Sequence, residues 1–464
     1  MTRKAKFDWH ESGLYWMLVA FLVLVFLTGG ASRGDALSLI VLRPASVLMC
    51  GLAMWTLTRE QVADKKFLFG MAGAVIALAA LHLIPLPPAV WTAFPGREIV
   101  VELDRTVGLN DPWRPLTMVP AGGWNALYSL SVPLAVLLLG VQLTRDQLFR
   151  LLPWIAGLGL ASGLLGLMQV IGDPRGPLYL YRITNNGSAV GLMANRNHQA
   201  MLLAMLFPML AVYASVGVRS EEQAKVKSGL TIAAAIVLVP LLLVTGSRAG
   251  LIVGIVSLAA AAWIYRRPTA TVQKKRKVAT VDPRYALAAF SGVVLVGLTV
   301  ITSRAEAFRR LATADPTEDM RLKTWGPIAE MGWKYFPVGS GSGSFVEAYQ
   351  IDEPRALLSP IYVNHAHNDW LEVFATFGLP GLALVLVAVV AYLRIAAGTL
   401  AQGAAGERRG AYARLGAAMI AVFALGSIGD YPLRAPSLAA IFVVATLWLA
   451  SGARTARHMA RGEA

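Results

Sequence analysis

The sequence has little charge and almost no cysteine. Only 15% of its 464 residues are charged while 56% are hydrophobic, a balance too apolar for a soluble protein of this length. Its single cysteine, Cys50, excludes an intrachain disulfide and lies inside an apolar run, so thiols carry no information about compartment. Period-two alternation is missing from the long apolar runs, which excludes a transmembrane β-barrel. The Gly-rich run Gly339 to Ser344 lacks the Gly-x-x-x-x-Gly-Lys-Ser/Thr spacing of a phosphate loop, which excludes nucleotide binding there.

What is present is a series of uninterrupted apolar runs of about 18 to 20 residues, the length that carries a helix across a bilayer. They predict an all-α polytopic membrane protein of about 12 transmembrane helices. The spans fall near 13–30, 36–57, 67–86, 124–142, 148–171, 189–217, 228–245, 249–265, 285–302, 371–394, 411–428 and 435–452. The first span has a basic leader like a signal peptide, but its apolar core is too long for one and it is expected to stay. An even number of spans puts both termini on one side. With that side cytoplasmic, the cytoplasmic segments hold 25 basic and 10 acidic residues, so the whole surplus of +15 follows the positive-inside rule. Nucleic-acid binding is therefore not needed to explain the charge, and Lys274 to Lys277 is expected to face lipid headgroups.

Two outside loops are long. Pro85 to Trp124 is rich in Pro and Trp and is expected to be a plug packed on the bundle, with a sugar-stacking surface as the sharper alternative. Ser303 to Asn364 is expected to hold an amphipathic helix over Asp315 to Lys334, capped near Thr317, then a flexible or tightly turned Gly/Ser run. This divides the chain into 1–302 with the loop 85–123, a loop or lid at 303–370, and 371–464.

Polar motifs break the apolar pattern at three places. Asn195, Arg196, Asn197 and His198 interrupt the sixth span, Thr245 to Arg248 form the turn between the seventh and eighth, and Tyr362 to Gly381 delivers His365, His367, Asn368, Asp369 and Glu372 to the rim of the tenth. Ionisable groups at such positions are costly and are usually functional.

These residues carry a family resemblance. His367 and Asn368 followed by Gly378 and Gly381 resemble the signature of the bacterial O-antigen ligase/polymerase family. ANRNH at Ala194 to His198 and TGSRAGL at Thr245 to Leu251 are similar to its two arginine motifs, in the same order. RLKTW with Arg321, the PVGSGSGSF turn, and DYPLRAP with Asp430 and Arg434 also resemble it, over roughly Tyr181 to Leu449. LIPLPPAVW in the first loop is similar to exopolysaccharide members. The resemblance implies a membrane glycosyltransferase of GT-C-like type in the bacterial inner membrane, with its active site on the periplasmic face. It would move a glycan from undecaprenyl diphosphate to a second lipid-linked repeat, lipid A core or protein, with no cofactor, metal or nucleotide sugar. A chain-length regulator or export machinery would be a partner.

The residue types suit that chemistry. Guanidinium groups stabilise a departing diphosphate without metal, a role for Arg196 and Arg248. A histidine titrating near neutrality can take the proton of an attacking hydroxyl, and the motif match assigns this to His367 rather than His365. Asn368, Asp369, His365, Arg321, Asp430 and Arg434 are supporting candidates. Plainer readings stand beside these: His367 as a helix cap, the arginines as interfacial anchors, and Asp430 with Arg434 as a structural ion pair. A metal on His365 and His367 is disfavoured because positions two apart on a helix do not share a face. A transporter of lipid-linked sugars is the alternative of another class, but its motifs would be mirrored between halves, and these are not.

Overall fold

A computed structural model describes residues 9–218, 220–266, 320–360, 362–401 and 408–460. Helices α1 (Trp9–Thr28), α2 (Leu39–Thr56), α3 (Arg59–Asp64) and α4 (Lys66–Leu81) lead to the first long loop. That loop holds the two-residue strands β1 (Pro85–Leu86) and β2 (Arg114–Pro115), paired antiparallel, with short helices α5 (Pro88–Trp91) and α6 (Glu98–Thr106) between them. Then follow α7 (Pro120–Ser129), α8 (Ser131–Gly140), α9 (Arg145–Phe149), α10 (Leu151–Ile171), α11 (Arg196–Ser215), α12 (Glu221–Val244) and α13 (Arg248–Ile264). After residue 319 come α14 (Met320–Lys334), α15 (Phe345–Asp352), α16 (Asp369–Ala401), α17 (Arg408–Gly429) and α18 (Pro436–Ala460).

Seven of the described helical segments are long and apolar enough to cross a membrane, and four shorter apolar helices accompany them. The protein is thus a mostly helical, multi-pass membrane protein. Helices occupy eleven of the twelve expected spans; the expected span 285–302, Lys274 to Lys277 and the cap near Thr317 lie outside the described residues.

α11 is the central helix, with 89% of its most apolar window buried. It starts later than expected. Residues 189–194 are apolar, but the N–H groups of Val190 and Gly191 are taken by Gln169 Oε1 (3.1 and 2.7 Å) and that of Leu192 by Ser162 Oγ (2.9 Å). The segment therefore has side-chain partners for its backbone and no need of a helix. Asn195, expected to interrupt a span, is its N-cap and accepts from the Asn197 N–H at 2.8 Å.

α16 contains the GxxG segment and is broken there. Gly378 has φ +54° and ψ −142°, a backbone that glycine alone adopts freely, and a Cβ at this position would run into the Pro337 carbonyl. The Leu379 N–H leaves the helix and donates to that carbonyl (2.8 Å), and Pro380 has no N–H to give. The carbonyls of Ala375 and Thr376, which would have accepted those two bonds, take the N–H groups of Ser340 (3.0 Å) and Gly341 (2.9 Å) instead. The Gly/Ser run is thus a buried tight turn seated on the break, with Ser340, Ser342 and Ser344 fully buried.

The Pro/Trp-rich loop packs on the other side of the same turn, as a plug would. Met118 N–H donates to the Ser340 carbonyl (3.1 Å), Thr117 Oγ1 to the Ser342 carbonyl (2.9 Å), and Arg97 Nη2 to the Gly339 carbonyl (3.1 Å). His82, just past α4, accepts the Ser342 N–H on Nδ1 (2.9 Å). Burial, with the nearby Arg97 charge, pushes His82 down to about 4, so the ring is neutral and able to accept. A small core of Ile328, Met331, Tyr335, Phe345 and Tyr349 completes this end.

Candidate functional site

The site forms where the starts of α11, α13 and α16 meet the turn between α17 and α18. α11 and α13 cross closely because Gly250 lies against Ala200. Ser247, the N-cap of α13, donates its hydroxyl to Asn197 Oδ1 at 2.8 Å, so the two arginine motifs are joined at their helix N-termini. Arg196 and Arg248 are the first residues of these helices, and Arg248 is exposed. Gly429, at the end of α17, faces Ala249.

Tyr431 is the hub. Three histidine rings stand around it, His365 at 4.3 Å, His367 at 4.9 Å and His198 at 5.1 Å between centroids. Asn364 donates to its hydroxyl at 3.2 Å. Burial, reinforced by the Asp430 charge, pushes the phenol up to about 12 and keeps it protonated.

His367 carries the most distinctive geometry. It has φ +48°, a left-handed backbone that costs a side-chain-bearing residue roughly 1–3 kcal/mol when the surroundings impose it. Its Nδ1 lies 3.2 Å from Asp430 Oδ1, and its side chain is 21% exposed against 5% for the aspartate. Burial works against the charge on Asp430, but the His367 hydrogen bond and the nearby His198 and Arg321 hold its carboxyl well below the usual range. His198 Nε2 approaches the other oxygen, Oδ2, at 4.0 Å. Neither His198 nitrogen nor Asp430 Oδ2 has a hydrogen-bond partner among the described residues. Buried polar atoms left unpaired cost about 1–3 kcal/mol each, a cost expected where a polar ligand is to be met.

A second layer holds the backbone of this stretch. Glu372 Oε1 pairs with His365 Nδ1 (3.1 Å) and with Arg434 Nη2 (3.0 Å), and its Oε2 accepts the Ala366 N–H (2.9 Å). Asp369 receives Arg434 Nε (3.1 Å) and Ser427 Oγ (3.1 Å). Burial works against the Arg434 charge, but these two carboxylates hold its affinity for the proton above normal. Arg321 Nη1 donates to the Gly429 carbonyl at 3.2 Å and its charge reaches Asp430 and Tyr431. Asn368 caps α16 by accepting the Leu371 N–H (3.1 Å), so the plainer reading of His367 as the helix cap falls to its neighbour.

Two expectations are corrected. Asp430 and Arg434 do not pair with each other; the 3₁₀ turn Pro432–Arg434 separates them, sending the aspartate to His367 and the arginine to Asp369 and Glu372. His365 and His367 precede α16, so the helical-face argument does not apply, and both rings face Tyr431. Among the described residues no group of three or more His, Cys, Asp or Glu side chains is arranged to hold a metal ion. The Gly/Ser turn offers little to a phosphate, since its N–H groups at Gly339, Ser340, Gly341, Ser342 and Ser344 are donated within the protein.

Tyr431 and Asn364 were not singled out from the sequence, although Tyr431 stands inside DYPLRAP and Asn364 directly before His365. Arg33 and Arg43 were missed as well. With Asn125 and Arg434 they line a small cavity of about 30 Å³ next to the carboxylate layer, and nothing in their local sequence marks them.

Residues 233–386 match the family model described as O-antigen ligase, which spans one third of the chain and supports an O-antigen ligase/polymerase-like family, a family of membrane glycosyltransferase-like enzymes. The match contains Arg248, Arg321, His365, His367 and Asp369. The fold adds Arg196, His198, Asp430, Tyr431 and Arg434 to them from outside it. No curated protein matches the chain.

Proposed function

We propose that this protein transfers a glycan from undecaprenyl diphosphate to an acceptor hydroxyl on the periplasmic face of the bacterial inner membrane, polymerising surface or exopolysaccharide repeat units. The observation that carries the reading is the His367–Asp430 pair. An ionised, buried aspartate fixes Nδ1 and stabilises the imidazolium, leaving Nε2 on the far side of the ring to take a proton. The acceptor oxygen attacks the anomeric carbon as its proton passes to Nε2. The bond from that carbon to the phosphate oxygen breaks, and the diphosphate leaves with the electron pair. Attack opposite the leaving group inverts the centre. Arg196 and Arg248, at joined helix N-termini, receive the growing negative charge, and Arg321 adds a third cation beside Asp430. Polymerisation is preferred to ligation because of the similarity of the first loop to exopolysaccharide members.

The test is the lipid-linked and surface glycan profile of a deletion strain complemented with wild type or His367→Ala. Loss of a general base lowers turnover roughly 10²- to 10⁴-fold. The variant should therefore accumulate single undecaprenyl-linked repeats with normal membrane insertion. Long chains still on undecaprenyl but absent from lipid A core would make the enzyme a ligase. Full complementation by His367→Ala would remove the proposed base and favour carriage of lipid-linked sugars.

A further inference from the structure

A second cavity, about 460 Å³ in volume, lies at the opposite end of the bundle from Tyr431. Its walls are the start of α10, the end of α11, and the starts of α12 and α17. α11 and α17 each run from the site to this cavity, and at 1.5 Å per residue that is about 30 Å, the thickness of a hydrocarbon core.

The floor is apolar and rigid. Phe149 and Tyr412 stack at 3.9 Å between centroids, 14° from parallel, and the Tyr412 hydroxyl donates to the Phe149 carbonyl at 2.8 Å. Around it stand three cations. Lys227 Nζ sits 4.7 Å over the Tyr213 ring and donates to the Val216 carbonyl at 3.0 Å, Arg408 lies 5.3 Å over Phe149, and Arg150 completes the lining. Lys227 and Arg408 are near enough to repel each other. Among the described residues no carboxylate lines the cavity. Asp146, which pairs with Arg408 at 3.1 Å, is 70% exposed and screened by solvent.

We propose that this cavity binds the phosphate of an anionic phospholipid at the end of the bundle remote from the candidate site. Converging cations without a lining anion call for a phosphate, and basic recesses between membrane helices are suited to such headgroups. A soluble phosphate would satisfy the cations and leave the aromatic floor uncovered. A lipid covers both. The proposal is independent of the chemistry assigned to His367.

The test uses the purified full chain in neutral detergent, titrated with phosphatidylglycerol, phosphatidylcholine or inorganic phosphate, and read by native mass spectrometry and thermal unfolding. Wild type should retain one phosphatidylglycerol where phosphatidylcholine washes away. Lys227→Gln with Arg408→Gln should weaken retention by about 10-fold or more, at roughly one kcal/mol per basic residue. Arg150→Gln, a single change at an exposed position, should give a smaller loss in the same direction even where the double variant folds poorly. Arg59→Gln with Lys66→Gln, exposed and outside the cavity, removes the same charge and should leave retention unchanged. Equal retention by wild type and both cavity variants, or equal binding of phosphatidylcholine, overturns the site. Equal stabilisation by inorganic phosphate overturns the lipid as its occupant.

Discussion

α11 and α12 follow one another in the chain and both have the length to cross a membrane, yet 89% of the most apolar window of α11 is buried and only 17% of that of α12. Mean hydropathy runs the other way, 1.4 for α11 and 2.1 for α12. In water the more apolar helix would be the inner one. In lipid, apolar surface gains nothing by leaving the tails, so the inner helix is chosen by close packing and polar ties. α11 supplies both, with Ala200 against Gly250 and Asn197 bonded to Ser247. Arg196, proposed to face the diphosphate, and the buried His198 are both on the inner helix, where such groups can find partners or substrate.

Substitutions can break that contrast. The largest expected effect is Leu203→Ala on α11, where a fully packed side chain leaves a cavity worth ~2–5 kcal/mol. Leu230→Ala on α12, 59% exposed in the same structure, makes the paired measurement by unfolding in mixed micelles. Similar losses at the two would refute the contrast.

α4 extends the comparison, since it buries little of itself and is tied down by His82. With the folded ring at about 4 and an ordinary value of 6.5, the unfolded chain binds more protons between those two pH values. Stability is present above pH 6.5 and is lost as pH falls toward 4, by roughly 2–4 kcal/mol in all. His82→Phe should flatten the pH dependence of proteolytic protection of the first loop; an unchanged profile would show that the loop is anchored elsewhere. Gly378→Ala costs about 1–3 kcal/mol from backbone strain alone, to which the clash of its Cβ with the Pro337 carbonyl adds. It should expose the Gly/Ser turn to protease while leaving α12 as protected as before.

Leu230→Ala itself is the smallest effect, below about 0.5 kcal/mol.

Much of the helical layout was legible because long apolar runs leave the backbone no other choice in lipid. The late start of α11 was not, since what holds residues 189–195 out of the helix is Gln169 and Ser162 on another element. Within the site, Arg196, Arg248, His365 and His367 could be named one by one because each is costly where it stands. The convergence of His365, His367 and His198 on Tyr431 could not be read, because a buried tyrosine beside an apolar helix looks like any other. The partners of Asp430 and Arg434 were misjudged because a pair across the last outside turn needs the two side chains to face each other, and the 3₁₀ turn Pro432–Arg434 sends them to different partners.

The break at Gly378 divides α16 into two texts with different grammars. From Leu382 to Val390, where no residue is buried, nearly any sequence of lipid-soluble residues would serve, and a library there should return functional clones freely. From His365 to Gly381 the backbone is clasped by Pro337, Ser340 and Gly341 and the Asp369 and Glu372 carboxylates are held by Arg434, and random change there should be tolerated almost nowhere. One stretch of chain thus mixes a passage that can be rewritten at will with one that must be copied letter by letter.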